Sequence, residues 1–309
     1  MSQAARGNNP MIASQPARSG WGVWLLAIRP ATLTAAIAPV MVGCALAQRQ
    51  GGFLLGPALA ALAGALLLQV GVNLANDVDD FERGADTGAR LGPTRVTQHG
   101  LLTAAAVRRT AWLAFGLAAV VGVYLIAVAG WPIAVIGIAA IIAGWAYTGG
   151  PWPLGYHGLG EVFVFIFFGM VAVLGTAFVQ TGTVTPLAVA AALPVSALVT
   201  AILVVNNARD IESDAAVGKR TLAVRWGGKS MRDLYAWLIA VAYAAPLALW
   251  VTGRTSAWVL LPLLTLPLAA RLATRMSRAQ AGAEFNKLLH DTARLHLFHA
   301  ALFAAGLLR

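Results

Sequence analysis

Two short stretches hold most of the acid in an otherwise apolar chain. NLANDVDDFERGADT, Asn73 to Thr87, packs Asp77, Asp79, Asp80, Glu82 and Asp86 into ten residues. NNARDIESDAAVGKRTLAVR, Asn206 to Arg225, adds Asp210, Glu212 and Asp214. Asn206, Asp210 and Asp214 recur at i, i+4 and i+8, which aligns three oxygen-bearing groups on one helix face. Asn76 and Asp80 repeat the i, i+4 interval, and Asp86 follows past Gly84. Asn73 and Asp77 offer a second register; Asn76 is preferred because it reaches an Asp on both the helix and the turn. Carboxylates held this close repel one another unless a cation lies between them. Hard divalent ions take oxygen ligands, and Mg2+ commonly combines one or two carboxylates with substrate phosphates. Arg83, Arg95, Arg209, Lys219 and Arg220 lie alongside and could meet phosphate oxygens. The implied chemistry is a metal-bridged diphosphate, with Mg2+ neutralising charge on a leaving group. A solvated helix end would explain one such cluster, but two with matched spacing on one predicted side argue against it.

The elements that must hold these clusters are long and apolar. Of 309 residues, 59% are hydrophobic and 11% charged, where a soluble domain carries about 25% charge. Nine candidate spans follow, near 22–47, 54–76, 104–128, 131–148, 159–180, 185–208, 233–252, 256–274 and 289–307. Most reach the ~18 apolar residues or more that can cross a bilayer as helix. The expected fold is an all-α polytopic membrane bundle of about nine transmembrane helices, forming one domain over 21–309. Residues 1–20 lack an apolar core and a cleavage site, and read as a disordered cytoplasmic tail rather than a signal peptide. The single cysteine, Cys44, reads as a small packing residue.

Lys and Arg gather on one side. The tail and the longer links near 77–103, 149–158, 209–232 and 275–288 hold nearly all of them, while the short links and the chain end hold Arg49, Arg254 and Arg309. The positive-inside rule then sets the N-terminus and both acidic clusters in the cytoplasm and the C-terminus outside. The net charge of +10 reflects this topology, so the expected partner is the lipid bilayer of the cell (inner) membrane and not nucleic acid. The clusters end the second and sixth spans, an offset that hints at an internal repeat.

NxxxDxxxxxD (Asn76, Asp80, Asp86) and NxxxDxxxD (Asn206, Asp210, Asp214) resemble the paired aspartate-rich motifs of the UbiA superfamily of intramembrane prenyltransferases. RPATLTAAIAPVMVG (Arg29 to Gly43), LGPTRVTQHGLL (Leu91 to Leu102), YTGGPWPLGYHGLGE (Tyr147 to Glu161) and RDIESDAAVGKRTLAVRWG (Arg209 to Gly227) resemble its 1,4-dihydroxy-2-naphthoate polyprenyltransferases. The resemblance runs from about Trp21 to the C-terminus and is weakest over the last spans. It implies nine helices around a central cavity, with the two motifs facing each other at the cytoplasmic side. It implies Mg2+ as cofactor, a polyprenyl diphosphate as one substrate and an aromatic ring that attacks the allylic carbocation as the other. In the naphthoate branch the ring also loses CO2, and the product is demethylmenaquinone. Carried over, Asp80, Asp86, Asp210 and Asp214 would hold Mg2+, with Asp80 and Asp210 central to catalysis. Asn76, Asn206, Arg95, Arg209 and Lys219 would serve the diphosphate.

A carbocation needs a dry, aromatic-lined chamber. Trp145, Tyr147, Trp152 and Tyr156 cluster at the cytoplasmic end of the fourth span. An interfacial belt accounts for most of these, and Tyr147 is the one singled out to face the cation. Phe163, Phe165, Phe167 and Phe168 read as packing or lipid contact. His99 and His157 read as solvated loop histidines. Asp77 and Asp79 could be solvated, and Glu161, at a helix start where the dipole favours a carboxylate, is left without an assigned role. Two alternatives stay open: another acceptor such as 4-hydroxybenzoate or homogentisate, or a membrane transporter. A transporter would set ionisable groups or broken helices near the midplane, whereas the acidic residues here gather at one face.

Overall fold

Pro30 governs how the chain enters the bundle. In the computed structural model, which describes residues 20–85, 92, 94–280 and 282–309, helix α1 (Gly20–Ile28) stops at this proline. After one tight turn α2 (Thr34–Arg49) resumes, and the two segments are bent by 49°. Proline donates no backbone hydrogen bond, and the residue before it avoids the helical region. Arg29 absorbs the break at φ 57, a left-handed conformation uncommon for any residue with a side chain. The next helix, α3 (Leu55–Glu82), holds this strained turn. Asn73 Nδ2 donates to the Ile28 carbonyl at 2.7 Å and to Thr32 Oγ1 at 2.8 Å, and Gln69 Nε2 donates to Asn73 Oδ1 at 3.0 Å.

The remaining elements are α4 (Ala104–Ala129), α5 (Trp131–Ala146), α6 (Gly160–Thr181), α7 (Pro186–Arg209), the short α8 (Ile211–Ala216), α9 (Leu222–Val251), α10 (Ala257–Arg278) and α11 (Gly282–Leu307). The all-α expectation holds; the described residues contain no strand. The count of nine spans is not confirmed. Among the described residues six helices are long and apolar enough to cross a membrane alone, and α1 with α2 makes a seventh as a broken span. The other two expected spans exist as helices but do not by themselves meet that length and apolarity. α5 has 16 residues, about 24 Å of helix against a hydrocarbon core of about 30 Å. α11 carries Glu284, Lys287, Asp291 and Arg294 in its first half.

α7 is the central pillar: 72% of its apolar window is buried, against 22–39% in the other five single spans. α6 approaches it closely where Gly169 meets Ser196. A Cβ on Gly169 would lie 2.0 Å from Ser196 Oγ, so only glycine permits this approach. The turns of α6 around Gly169, Val164–Val171, are widened to the π type.

The bundle has two chemically distinct poles. At one, Arg49 donates to the carbonyls of Leu307 and Arg254, and Thr183 donates to Gln50. The short links and the end of α11 thus meet there. The opposite pole gathers the ends of α3, α5 and α7 and the starts of α6 and α11, and it holds both acidic clusters.

Candidate active site

Helical periodicity splits the first cluster into two faces. Asn73, Asp77 and Asp80, at i, i+4 and i+7, share the inner face of α3, with Asn76 beside them. Asp79 and Glu82 turn toward α4, where Arg108 pairs with them at 3.6 and 2.5 Å. Asp77 is 1% exposed, so it is not the solvated residue the sequence allowed. It accepts the backbone N–H groups of Val96 (3.3 Å) and Thr97 (3.0 Å), with Arg29 at 3.7 Å. Asn73 and Asp77 therefore hold scaffold. Asp80, 2% exposed, accepts Arg95 Nη2 on one oxygen at 2.8 Å and the Tyr156 hydroxyl on the other at 2.9 Å. Asn76 accepts Thr148 Oγ1 at 2.7 Å. Asp86 lies outside the described residues.

The second cluster is not one continuous helix face. α7 ends at Arg209, and Asp210 turns the chain (φ −98, ψ 10) into α8. Arg209 organises the break. Its Nε and Nη2 donate to the two oxygens of Asp210 at 2.8 and 2.6 Å, a bidentate pair. Nη2 also donates to Asn206 Oδ1 at 2.9 Å, and Nη1 to Asn286 Oδ1 of α11 at 2.8 Å. Lys219 stands 3.6 Å from Asp214.

The two clusters converge on the loop between α5 and α6. Tyr156 donates to Asp80, while its ring faces Lys219 Nζ at 5.1 Å and the Arg83 guanidinium at 5.5 Å. Its carbonyl accepts the Arg220 N–H at 3.0 Å. Burial first, then the charge of Asp80, push ionisation of the Tyr156 phenol upward, so it remains a donor. Arg83 is further tied to the Gly150 carbonyl. Tyr147, on the same loop, lines an apolar cavity of about 380 Å3 between α2 and α6, with Val72, Gly137, Gly144, Phe163 and Phe167. His99 and His157 each bond a carbonyl of their own loop (Arg95 and Pro153, both at 2.9 Å), and His157 stacks on Trp152.

The donors at this pole are oxygens of Asp80, Asp210, Asp214, Asn76 and Asn206, a hard set that suits Mg2+. The described residues contain no group of three or more His, Cys, Asp or Glu close enough to share an ion. Each of these carboxylates instead meets a guanidinium or ammonium, which is also the equipment needed to receive phosphate oxygens.

Residues 36–302 match the model of the UbiA prenyltransferase family. The chain belongs to the UbiA prenyltransferase family. It is 41% identical over 285 residues to the 1,4-dihydroxy-2-naphthoate octaprenyltransferase of Mycobacterium tuberculosis, covering 92% of this chain and 96% of that one. Its identity to the Bacillus subtilis protein of the same name is 34% over 309 residues, covering 100% and 98%. Among solved structures it resembles a UbiA homolog from Archaeoglobus fulgidus bound to DMAPP and Mg2+, with a TM-score of 0.63 and 13% identity over 91% of this chain and 98% of that one. Family and helices together make it a multi-pass integral membrane enzyme.

Within this UbiA-family chain, Asn76 and Asp80 with Arg95, and Asn206, Arg209 and Asp210, form two arrays, and Asp214 with Lys219 reaches the first through Tyr156. Sequence reasoning missed Tyr156, set aside as interfacial belt, and Asn286. The proximity of Tyr156 to an acidic motif in space has no counterpart in spacing: it is 76 residues from Asp80. Asn286 is 77 from Arg209 and carries no local signal.

Proposed function

We propose that this chain transfers a polyprenyl group from polyprenyl diphosphate to 1,4-dihydroxy-2-naphthoate, releasing CO2 and diphosphate. The observation that carries the reading is the meeting of two acid-and-base arrays on one loop at the end of an apolar cavity. The names of relatives matched over nearly their whole length support the naphthoate as acceptor. The donor set supports Mg2+, as do UbiA homolog structures from Archaeoglobus fulgidus bound to Mg2+ with DMAPP or GPP.

Asp80, Asp86, Asp210 and Asp214 would hold Mg2+, which when bound neutralises charge on the leaving diphosphate. Arg95, Arg209 and Lys219 bind diphosphate oxygens, and Asn76 and Asn206 orient them. The tail lies in the apolar cavity, which keeps water from the allylic cation. Tyr147, at the edge of that cavity, offers its ring face to the cation. The prenyl C–O bond breaks with its electron pair leaving on diphosphate. A ring carbon of the acceptor supplies the pair for the new C–C bond. The carboxylate departs as CO2, and its bonding electrons restore the aromatic ring. The product at this step is the quinol of demethylmenaquinone. We assign residues 21–309 to one catalytic domain of the cell membrane, with this pole cytoplasmic; a reporter at Arg309 that proved cytoplasmic would contradict the orientation.

Purified protein in detergent, given polyprenyl diphosphate, Mg2+ and either 1,4-dihydroxy-2-naphthoate or 4-hydroxybenzoate, tests the reading. Prenylated naphthol that vanishes with EDTA is expected. Prenylated hydroxybenzoate alone would overturn the acceptor, and no product from any phenol would overturn the class.

A further inference from the structure

Glu161 stands out among the buried carboxylates of this pole. It is 5% exposed at the start of α6, and among the described residues it pairs with no cation. Its Oε1 accepts Asn207 Nδ2 at 2.8 Å, while Oε2 is buried without a hydrogen-bond partner. Native structures pair the great majority of buried polar atoms, and one left over calls for a specific explanation. Its setting supplies one. The preceding residue, Gly160, abuts the Tyr147 hydroxyl, where a Cβ would come within 2.8 Å. Phe163 and Phe167, the next turns of the same helix, stack at 5.8 Å and line the apolar cavity. Asn207, which holds Oε1, follows Asn206 of the second array directly. Glu161 thus lies on α6 between the charged pole, which it reaches through Asn207, and Phe163 and Phe167 of the tail cavity. An aromatic acceptor must reach the prenyl carbon between the two.

We propose that Glu161 Oε2 accepts a hydrogen bond from a ring hydroxyl of the aromatic acceptor, orienting the ring and enriching the carbon that attacks. The inference rests on the prenyl-transfer reading above. It makes Glu161 an acceptor-side residue, distinct from the arrays that serve the diphosphate. Glu161→Gln is the informative variant. Its amide oxygen can still accept from Asn207, but the other position becomes a donor and cannot receive a hydroxyl proton.

The experiment compares wild type and Glu161→Gln as full chains in detergent, with the two substrates varied separately. We expect kcat/KM for dihydroxynaphthoate to fall about ten- to a hundredfold, the range for hydrogen bonds to charged groups. KM for polyprenyl diphosphate and the melting temperature should not move. 1-Hydroxy- and 4-hydroxy-2-naphthoate, tested as substrates or as competitive inhibitors, identify the contact. The analogue lacking the contacted hydroxyl should give a wild-type to variant ratio near one. Glu161→Asp, which keeps a carboxylate, should fall between the two, and replaces the Gln variant if that one does not fold. Equal kinetics for wild type and variant would overturn the proposal. So would a loss shared by KM for polyprenyl diphosphate and by melting temperature, which marks a purely structural bond between α6 and α7. If wild type prenylates a different phenol instead, the acceptor reading fails, and the same ratio measured on that phenol decides the role of Glu161.

Discussion

Replacing Tyr156 by Phe removes one oxygen and leaves the ring. In the native protein that oxygen donates to Asp80 at 2.9 Å, and the other oxygen of Asp80 is held by Arg95 at 2.8 Å. Hydrogen bonds to charged groups contribute about 1.5–3 kcal/mol, or about ten- to 150-fold in rate or affinity. Because Arg95 still satisfies Asp80, the loss belongs at the lower end, about ten- to thirtyfold. Tyr156→Ala also removes the ring faced by Lys219 at 5.1 Å and Arg83 at 5.5 Å. Cation–π contacts at such partly exposed sites contribute about 0.5–1 kcal/mol each. The Ala variant should therefore lose a further factor of about two to five per contact. The assay is prenylated product against polyprenyl diphosphate concentration, at saturating acceptor and Mg2+. The loss should appear in kcat/KM for polyprenyl diphosphate and spare KM for the acceptor. Tyr156→Phe within twofold of wild type, or a loss confined to KM for the acceptor, would refute the view that this loop joins the two arrays.

Asp80→Ala and Asp210→Ala should each abolish turnover, since each leaves a buried guanidinium uncompensated and removes a hard oxygen donor; Mg2+-dependent product from either variant would remove that residue from the mechanism. Asn73→Ala should act differently. It removes the donor that holds the Ile28 carbonyl behind the left-handed Arg29, costing about 1–3 kcal/mol of stability. A lowered melting temperature in detergent, with KM for polyprenyl diphosphate unchanged at low temperature, is the expected pattern.

The contrast between Asn73 and Asp80 marks how far the sequence could be read. Long apolar runs and two matched Asn/Asp motifs were visible because both follow from helix period and composition. The two registers of the first motif were also visible, but spacing alone did not separate them. Asn73–Asp77 and Asn76–Asp80 share one interval, and only the partners distinguish the pair that holds scaffold from the pair that faces the site. The second motif looked like one helix face, yet Asp210 breaks the helix so that the bidentate Arg209 pair can form. The count of nine spans is not confirmed at α5 and α11, where one helix is short and the other carries charge in its first half. Tyr156, Asn286 and the half-satisfied Glu161 owe their roles to contacts between residues 46 to 77 positions apart. No local pattern encodes such contacts.

The central claim is that a ring carboxylate is exchanged for a prenyl group at the pole where the two arrays meet. The most direct measurement uses 1,4-dihydroxy-2-naphthoate labelled with 13C in its carboxylate, polyprenyl diphosphate and Mg2+. Labelled CO2, free diphosphate and prenylated naphthol are followed together. The account predicts all three in equal amounts, all lost on chelation and all lost in Asp80→Ala. Diphosphate released without prenylated naphthol, or a prenylated product that retains the label, would contradict it.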